Sequence, residues 1–449
     1  MKFKGMNRSF SSLSVDLYEL TMAQVYVKEG LRGNAVFEVY IRDLSEDRGY
    51  AVYAGLAPAI ELVKNLRFKQ DEIAYLESLK IFKPYFLDYL SNLKFEGKIY
   101  SLKEGTIATH TIPILAIEAP LPVAQILESS VLNLITFETL IATKASRIRG
   151  VAPDKLLVDF GLRRVHGIEA GYHVARASFI GGFDGTSNLF AGKELGIPVY
   201  GTMAHSYILA FGDEVQAFKK YAEEYENIVL LVDTFDTKKG IENAVKVAKE
   251  IEKTGKFLRA IRIDSGNLLK ETKMARSILD RSGLKDVKIM LSGSLDEYSI
   301  QMLLKNGAPA DAFGIGTKLG TSADIPYLDT AYKLVEFMGK GVLKTSEKKE
   351  TLPYLKTLRR FTEKGKTYYL IGKRGEELEG EEMLKEVYNS EKGEIGVSSV
   401  EEAKKNFEKE FEALPEIYKK IRKPEKIGVR LTPLLKDEIK RIKREIWKK

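Results

Sequence analysis

Between residues 155 and 317 the chain repeats one pattern. A short apolar run, rich in β-branched or aromatic residues, leads into a polar or glycine-rich knot and then an amphipathic stretch. The runs are KLLVDFG (155–161), ASFIGGFDG (177–185), IPVYGTMAHS (197–206), NIVLLVDTFDT (227–237), FLRAIRIDSG (257–266), VKIMLSGS (287–294) and DAFGIGT (311–317). The segment TKKGIENAVKVAKEIEKTG has the apolar spacing of a helix with one buried face. Continuous apolar strands alternating with such helices predict parallel strands joined by helical crossovers. Their number and spacing favour an irregular (β/α) barrel over an open sheet.

The flanks read differently. NAVFEVYIR (34–42) alternates like a strand, and GKIYSLKEGTIATHTIPILAIEAP (97–120) reads as strands interrupted by Gly105 and Pro113. VAQILESSVLNLITFETLIA (123–142) belongs to a long helix over about 123–145. Its Gln125, Glu128, Asn133 and Glu138 make it a buried amphipathic helix rather than a membrane span. Beyond about 338 the chain turns Lys/Glu-rich, with hairpin-like pieces such as KTYYLIGKRGEE. The expected division is an N-terminal α/β domain (1–120), a barrel carrying the active site (121–335) and a C-terminal segment (336–449). The last is expected to pack partly with the N-terminal domain and to end in a basic helix.

Composition narrows the picture. With 449 residues, 44% hydrophobic and 30% charged, a sizeable core is expected. The absence of cysteine excludes disulfides and cysteine-ligated metals and fits a reducing, cytoplasmic setting. MKFKGMNRSFSSLSVD, at the N-terminus, lacks the apolar core of a signal peptide. The net charge of +8 is local: residues 416–449 hold 13 Lys and Arg against 5 Asp and Glu, which accounts for all of it. That stretch reads as a solvated terminal helix, not a nucleic-acid or membrane surface.

The chemistry gathers where the apolar runs end: GGFDGTSN, GTMAHS, DTFDT, IDSGN, SGSLDE and GIGTKLGTS. In a parallel barrel that face carries the active site. SGS (292–294) and GIGT (314–317) end consecutive strands and together suit a phosphate cradle. Neither a P-loop nor a dinucleotide fingerprint is present. Arg262 and Asp264 point to one face of a strand end, as a salt bridge or as receptors for an anion and for ribose or a metal. Phe183 is either core or a stacking platform. His205, one of four histidines, is either a structural helix-start residue or a phosphoryl acceptor. No paired-histidine or CxxC spacing indicates a metal held tightly by the protein, which leaves Mg²⁺ brought in by phosphate.

Taken together and in order, VDLYELTMAQVY (15–26), TKASRIR (143–149), FGLRR (160–164), GGFDGTSN (181–188), GTMAHS (201–206), IRIDSG (261–266) and GIGT (314–317) resemble nicotinate phosphoribosyltransferases. The resemblance spans roughly residues 15–335. It implies a type II phosphoribosyltransferase fold: an α/β domain built from N- and C-terminal segments beside an irregular, TIM-like α/β barrel. It implies attack of the nicotinate ring nitrogen on C1 of 5-phosphoribosyl 1-diphosphate, giving nicotinate mononucleotide and pyrophosphate. ATP hydrolysis, with Mg²⁺, is coupled through a phosphohistidine in this family. The implied assembly is a homodimer or higher homo-oligomer with shared active sites, with no nucleic-acid or membrane partner.

Carried over by position, the implied catalytic residues are His205, as the phosphohistidine, and Asp264. Tyr18, from the neighbouring subunit, and Phe183 should flank the nicotinate ring, with Arg163 nearby and Thr202 and Arg262 on the carboxylate side. Asp264, Gly293, Ser294, Gly316 and Thr317 should hold the ribose and phosphates, and Arg42 should reach a phosphate across the dimer. The chain departs from many relatives in YELT, where Gln often follows Tyr, and in DSGN, where the last residue is often Asp. A nicotinamide phosphoribosyltransferase would place an acid at Ser187. A quinolinate phosphoribosyltransferase is usually shorter and needs a basic pocket for two carboxylates. A non-enzymatic phosphate-binding barrel would not need His205, Arg262 and Asp264 together.

Overall fold

The computed structural model describes residues 11–345 and 351–447. The first ten residues, where no leader was expected, and the last two lysines of the basic stretch lie outside them. The chain divides into two compact units, Lys144–Pro326, and Met1–Thr143 with Tyr327–Lys449.

In the Lys144–Pro326 unit, six parallel strands form a half-barrel sheet. The order across it is Gly185–Thr186, Leu156–Asp159, Ala312–Ile315, Lys288–Leu291, Leu258–Ile263 and Ile228–Leu231. Strand residues such as Ile289, Leu291, Phe313 and Ile315 are buried, as expected for a parallel sheet covered by crossover helices. Several helices of this unit begin at side-chain caps: Asp213, Asp236, Asn267 and Asp296 each accept the backbone N–H of the third residue of the helix. Asp236, Asn267 and Asp296 sit directly after a strand-end loop, so those crossovers start on the face where the loops converge; Asp213 follows the short helix His205–Phe211.

Two expected strands are corrected. ASFIGGFDG is helical through Ile180, in the helix Ile168–Ile180, and only Gly185–Thr186 is a strand. Every residue of that helix from Gly171 to Ile180 is buried. A helix buried on all sides leaves little period to read, and its last turn, ASFI, has no charged residue to mark a face, so it looks like a strand. IPVYGTMAHS contributes a single parallel bridge, Thr186 to Val199, and then runs without regular structure to His205.

The other unit interleaves the two ends of the chain. Its seven-stranded sheet runs Lys340–Gly341, Thr330–Phe337, Asn34–Ile41, Pro113–Pro120, Lys98–Ser101, Lys385–Asn389 and Gly393–Glu394. Asn34–Ile41 is antiparallel to Thr330–Phe337 on one side and to Pro113–Pro120 on the other. A four-stranded sheet joins Glu381–Glu382, Lys356–Glu363, Lys366–Lys373 and Gly428–Leu431. The two sheets are linked by a buried ion pair, Lys356 Nζ to Glu38 Oε2 at 2.6 Å. Burial pushes the Glu38 carboxyl up and the Lys356 ammonium down, against their mutual attraction. Losing one partner would strand the other charge, at a cost of about 3–5 kcal/mol.

The long helix expected at about 123–145 is two, Leu121–Ile126 and Glu128–Val151. The basic stretch folds as Glu416–Lys419, the strand Gly428–Leu431 and the helix Pro433–Trp447. Leu435 and Ile442 of that last helix are buried, while Arg441 pairs with Glu438 and Glu445. Among the described residues no helix is long and apolar enough to cross a membrane.

Candidate active site

A cavity of about 390 Å³ opens at the C-terminal ends of the parallel strands. Phe160, Arg163, Ser187, Thr202, His205, Arg262 and Asp264 line it. The volume lies within the range that holds a small organic ligand.

Arg262 is the organising residue. It stands near the end of Leu258–Ile263 and reaches three neighbouring loops. Its Nε donates to Ser292 Oγ at 2.8 Å, Nη1 to Thr202 Oγ1 at 2.9 Å and Nη2 to Asp264 Oδ1 at 3.0 Å. Its guanidinium carbon also lies 5.4 Å from the centre of the Phe160 ring, within reach of a cation–π contact. The guanidinium plane is therefore fixed before any ligand arrives.

Asp264 is held just as firmly. Oδ1 accepts from Ser292 at 2.5 Å as well as from Arg262, and the Asp264 N–H donates to Asp233 Oδ2 at 2.9 Å. Burial pushes the Asp264 carboxyl up, but the Ser292 hydroxyl and the Arg262 charge more than offset this and hold it below the usual carboxylate range. Asp233 itself is buried and also accepts from Ser265 Oγ at 2.6 Å. Its Oδ1 has no hydrogen-bond partner among the described residues.

His205 opens the helix His205–Phe211. Its Nδ1 is 3.1 Å from Thr234 Oγ1, and its Nε2 is 3.8 Å from Asp264 Oδ2. Among the described residues Nδ1 thus has a hydrogen-bond partner and Nε2 has none.

The glycine loops lie beside the cavity at the adjoining strand ends. Gly293 has φ +91°, and a Cβ there would sit 2.1 Å from the Asp264 carbonyl oxygen, so only glycine fits. Ser294 follows in the left-handed region at φ +52°, a strained conformation that ligand loops often carry. Lys318 Nζ bonds Asp296 Oδ2 at 2.7 Å and so staples the two loops together. Behind them the buried Glu297 takes Lys144 at 2.6 Å and Arg147 at 2.9 Å.

With this geometry in place, the comparisons decide the family. Residues 13–136 match the sequence model of the nicotinate phosphoribosyltransferase N-terminal domain, and residues 156–392 match that of the nicotinate phosphoribosyltransferase family. The chain belongs to the nicotinate phosphoribosyltransferase family. A nicotinate phosphoribosyltransferase of Mycobacterium tuberculosis is 41% identical over 382 residues, covering 85% of this chain and 82% of the relative. One from Bacillus subtilis is 43% identical over 339 residues, covering 75% and 69%. The crystal structure of human nicotinic acid phosphoribosyltransferase superimposes with a TM-score of 0.86 at 25% identity, covering 95% of this chain and 99% of that one. The activity is nicotinate phosphoribosyl transfer, a step of NAD biosynthesis.

Among the residues expected from the nicotinate phosphoribosyltransferase resemblance, the structure brings Arg163, Ser187, Thr202, His205, Arg262 and Asp264 around one cavity. Arg163 is exposed there, and no ion pair engages it among the described residues. Gly293, Ser294, Gly316 and Thr317 stand at neighbouring strand ends without lining its wall. Tyr18 and Arg42 belong to the other unit. Tyr18 is 46% exposed on the helix Leu17–Lys28, and Arg42 pairs with Asp329 at 3.2 Å.

Phe183 is a correction. It is fully buried and does not line the cavity. It precedes the strand Gly185–Thr186, and the Asp184 N–H next to it donates to Leu157 O, near the start of Leu156–Asp159. Phe183 therefore sits toward the N-terminal end of the sheet, away from the cavity. The aromatic face in the cavity is Phe160, which directly follows Leu156–Asp159. Its signal was present in FGLRR, one residue past the apolar run. Asp233 and Thr234 were visible only as part of DTFDT.

Proposed function

We propose that the cavity is where nicotinate meets 5-phosphoribosyl 1-diphosphate, with ATP hydrolysis coupled through phosphorylation of His205. The reading rests on one observation: two guanidiniums, Arg163 and Arg262, and one carboxylate, Asp264, line the same cavity as His205. That balance favours an anionic ring substrate. Phe160 offers the flat apolar face, and Arg262 with Thr202 stands toward the substrate carboxylate. The ring nitrogen gives its electron pair to C1 as the C1–O bond breaks and pyrophosphate leaves with that bond's electrons. Asp264 and the loops at Gly293–Ser294 and Gly316–Thr317 keep ribose and phosphates in line for this displacement. The half-barrel is read as the core of an irregular α/β barrel.

Among the described residues no cluster of three His, Asp or Glu side chains is arranged to hold a metal. Asp264 Oδ2 takes no hydrogen bond from the described residues and is the carboxylate oxygen that suits Mg²⁺ carried in by phosphates. Such a cation supplies charge neutralisation on the leaving pyrophosphate.

The test is an assay of purified protein with phosphoribosyl diphosphate, Mg²⁺ and nicotinate, nicotinamide or quinolinate, with and without ATP. Nicotinate should give mononucleotide and pyrophosphate, faster with ATP. Nicotinamide should be less efficient by roughly tenfold to a few hundredfold, the scale of one charge-assisted hydrogen bond. Ser187→Asp should move the preference toward the amide. Comparable efficiency with nicotinamide or quinolinate in the wild type would overturn the assignment.

The assembly is proposed to be a cytoplasmic homodimer in which Tyr18 of one subunit completes the site of the other. Mixed dimers of inactive Tyr18→Ala and inactive His205→Ala chains should then regain activity. Mixed dimers that form but stay inactive would count against shared sites.

A further inference from the structure

Asp159 ends the strand Leu156–Asp159 and is 1% exposed, and no part of the reaction described so far uses it. Its two carboxylate oxygens serve different loops. Oδ1 accepts the Gly161 N–H at 2.7 Å, and Oδ2 accepts the Thr186 hydroxyl at 2.8 Å. The Asp159 carbonyl accepts the Ser187 N–H at 2.9 Å. Gly161 stands between Phe160 and Leu162–Arg163, and Thr186 directly precedes Ser187; those neighbours line the cavity. A Cβ at Gly161 would sit 2.8 Å from Asp159 Oδ1, so glycine there lets the backbone close on the carboxyl.

We infer that Asp159 is a positioning residue for the nicotinate ring, tying the loop that carries Phe160 and Arg163 to the loop that carries Ser187, so that the ring meets all three in one arrangement. This rests on the reading of the cavity as the nicotinate site. Thr186 gives the tie its direction. Its hydroxyl donates to Asp159 while its oxygen accepts the Asn188 N–H at 3.1 Å, and Asn188 Oδ1 accepts the Ala191 N–H to cap the helix Leu189–Leu195. The Thr186 backbone also bonds Pro198 and Tyr200, just ahead of Thr202. A carboxylate has two accepting oxygens and no proton to place, so it takes the Gly161 N–H and the Thr186 O–H together. Asn in the same pose would turn its NH₂ group toward one of those donors.

Stability does not explain the carboxylate. Among the described residues its side-chain partners are neutral, and burial pushes it up to about 6, with the Thr186 and Gly161 bonds limiting the rise. A carboxyl raised in the folded state loses stability as pH climbs from the ordinary carboxylate range through the raised value, so at neutral pH this charge weakens the fold. A buried charge retained against that cost is expected where it orders a site.

The experiment compares wild type with Thr186→Val, which keeps the shape and removes the donor, Thr186→Ser, which restores it, and Asp159→Asn. Kinetics are measured with nicotinate and with nicotinamide. In Thr186→Val and Asp159→Asn the KM for nicotinate should rise by about tenfold, the scale of one hydrogen bond to a charged group, while the KM for phosphoribosyl diphosphate holds. The preference for acid over amide should narrow by a similar factor, because Arg163 and Ser187 are no longer held together. Thr186→Ser should recover most of the loss. The double variant should be little worse than either single one, since both cut the same bond. Thermal unfolding at neutral pH should find Asp159→Asn no less stable than wild type. A wild-type KM and acid preference in both variants would overturn the inference. So would equal rises in both KM values with a lowered melting temperature, the mark of a purely structural residue. Ser187→Asp, measured alongside, tests the cavity itself. If it leaves the acid preference unmoved, the cavity does not hold the ring, and the reading falls together with the inference. If it moves the preference while Thr186→Val and Asp159→Asn do not, the inference alone falls.

Discussion

Arg262→Ala is expected to lower kcat/KM for nicotinate by roughly a hundredfold to a few thousandfold. The substitution empties the centre of the site: Ser292, Thr202 and Asp264 each lose the guanidinium they bond. It also leaves Asp264 half-buried beside no cation. Breaking a largely buried pair by removing one partner costs about 3–5 kcal/mol, and about 1.4 kcal/mol is a factor of ten. Arg262→Lys should recover little, because an ammonium cannot reach three acceptors in one plane. The pH profile adds a sharper readout. Burial pushes the Asp264 carboxyl up, while Ser292 and Arg262 hold it down. Without Arg262 burial gains the upper hand, so the carboxyl protonates at higher pH and the acid limb of kcat/KM moves toward neutrality. A variant with an unmoved acid limb would show that the Arg262–Asp264 pair does not set the ionisation that activity needs.

The strand ends carried most of what could be read in advance, and they also show why the reading was incomplete. Polar knots after apolar runs do mark the face of the sheet where the cavity opens. Yet the same knots serve a second purpose, because several of the helices that follow them start at a side chain that caps the first turn. Asn188, Asp236, Asn267 and Asp296 do that work, each accepting a backbone N–H. Asp264 and Asp233 face the site and its support instead. Within DTFDT, Asp233 supports the site and Asp236 caps a helix, three residues apart. Composition cannot separate the two uses, since both favour short oxygen-bearing side chains. Position relative to the end of the strand can: the supporting residue comes within two of it and the cap stands last before the helix.

Phe160 and Phe183 were separated for a similar reason. Both close an apolar run followed by glycine or a polar residue. The run before Phe160 is a strand, which delivers it to the C-terminal face. The run before Phe183 is the end of a buried helix, which returns the chain toward the opposite end. An element's type thus decides which end of the sheet its last residue reaches. Without a polar face the ASFIGG segment gave no period by which to tell. The interleaving of the two chain ends in one seven-stranded sheet is likewise invisible to local patterns, because Asn34–Ile41 and Thr330–Phe337 pair across nearly 300 residues. Alternation predicts a strand; it does not name the neighbour.

His205→Ala should produce the largest change of all in one activity and only a partial loss in another. On the proposed reading, His205 accepts the phosphoryl group and so drives coupling, but it does not make the C–N bond. That bond needs the ring nitrogen, C1 and a neutralised leaving group held in line, the part proposed for Arg262, Asp264 and the glycine loops. The variant should therefore lose ATP hydrolysis and ATP stimulation almost completely. It should keep a slower, ATP-independent transfer at high phosphoribosyl diphosphate. Wild type incubated with γ-labelled ATP should carry a label that is lost in acid and stable in base, as a phosphoramidate is and a serine ester is not. His205→Ala should carry none. Ser206→Ala, one residue along the same helix, should retain it. If His205→Ala hydrolyses ATP at the wild-type rate, or if the label survives acid, the phosphoryl site lies elsewhere. His205, bonded to Thr234 on one nitrogen and facing Asp264 with the other, would then be left to orient Asp264 and the substrate it holds.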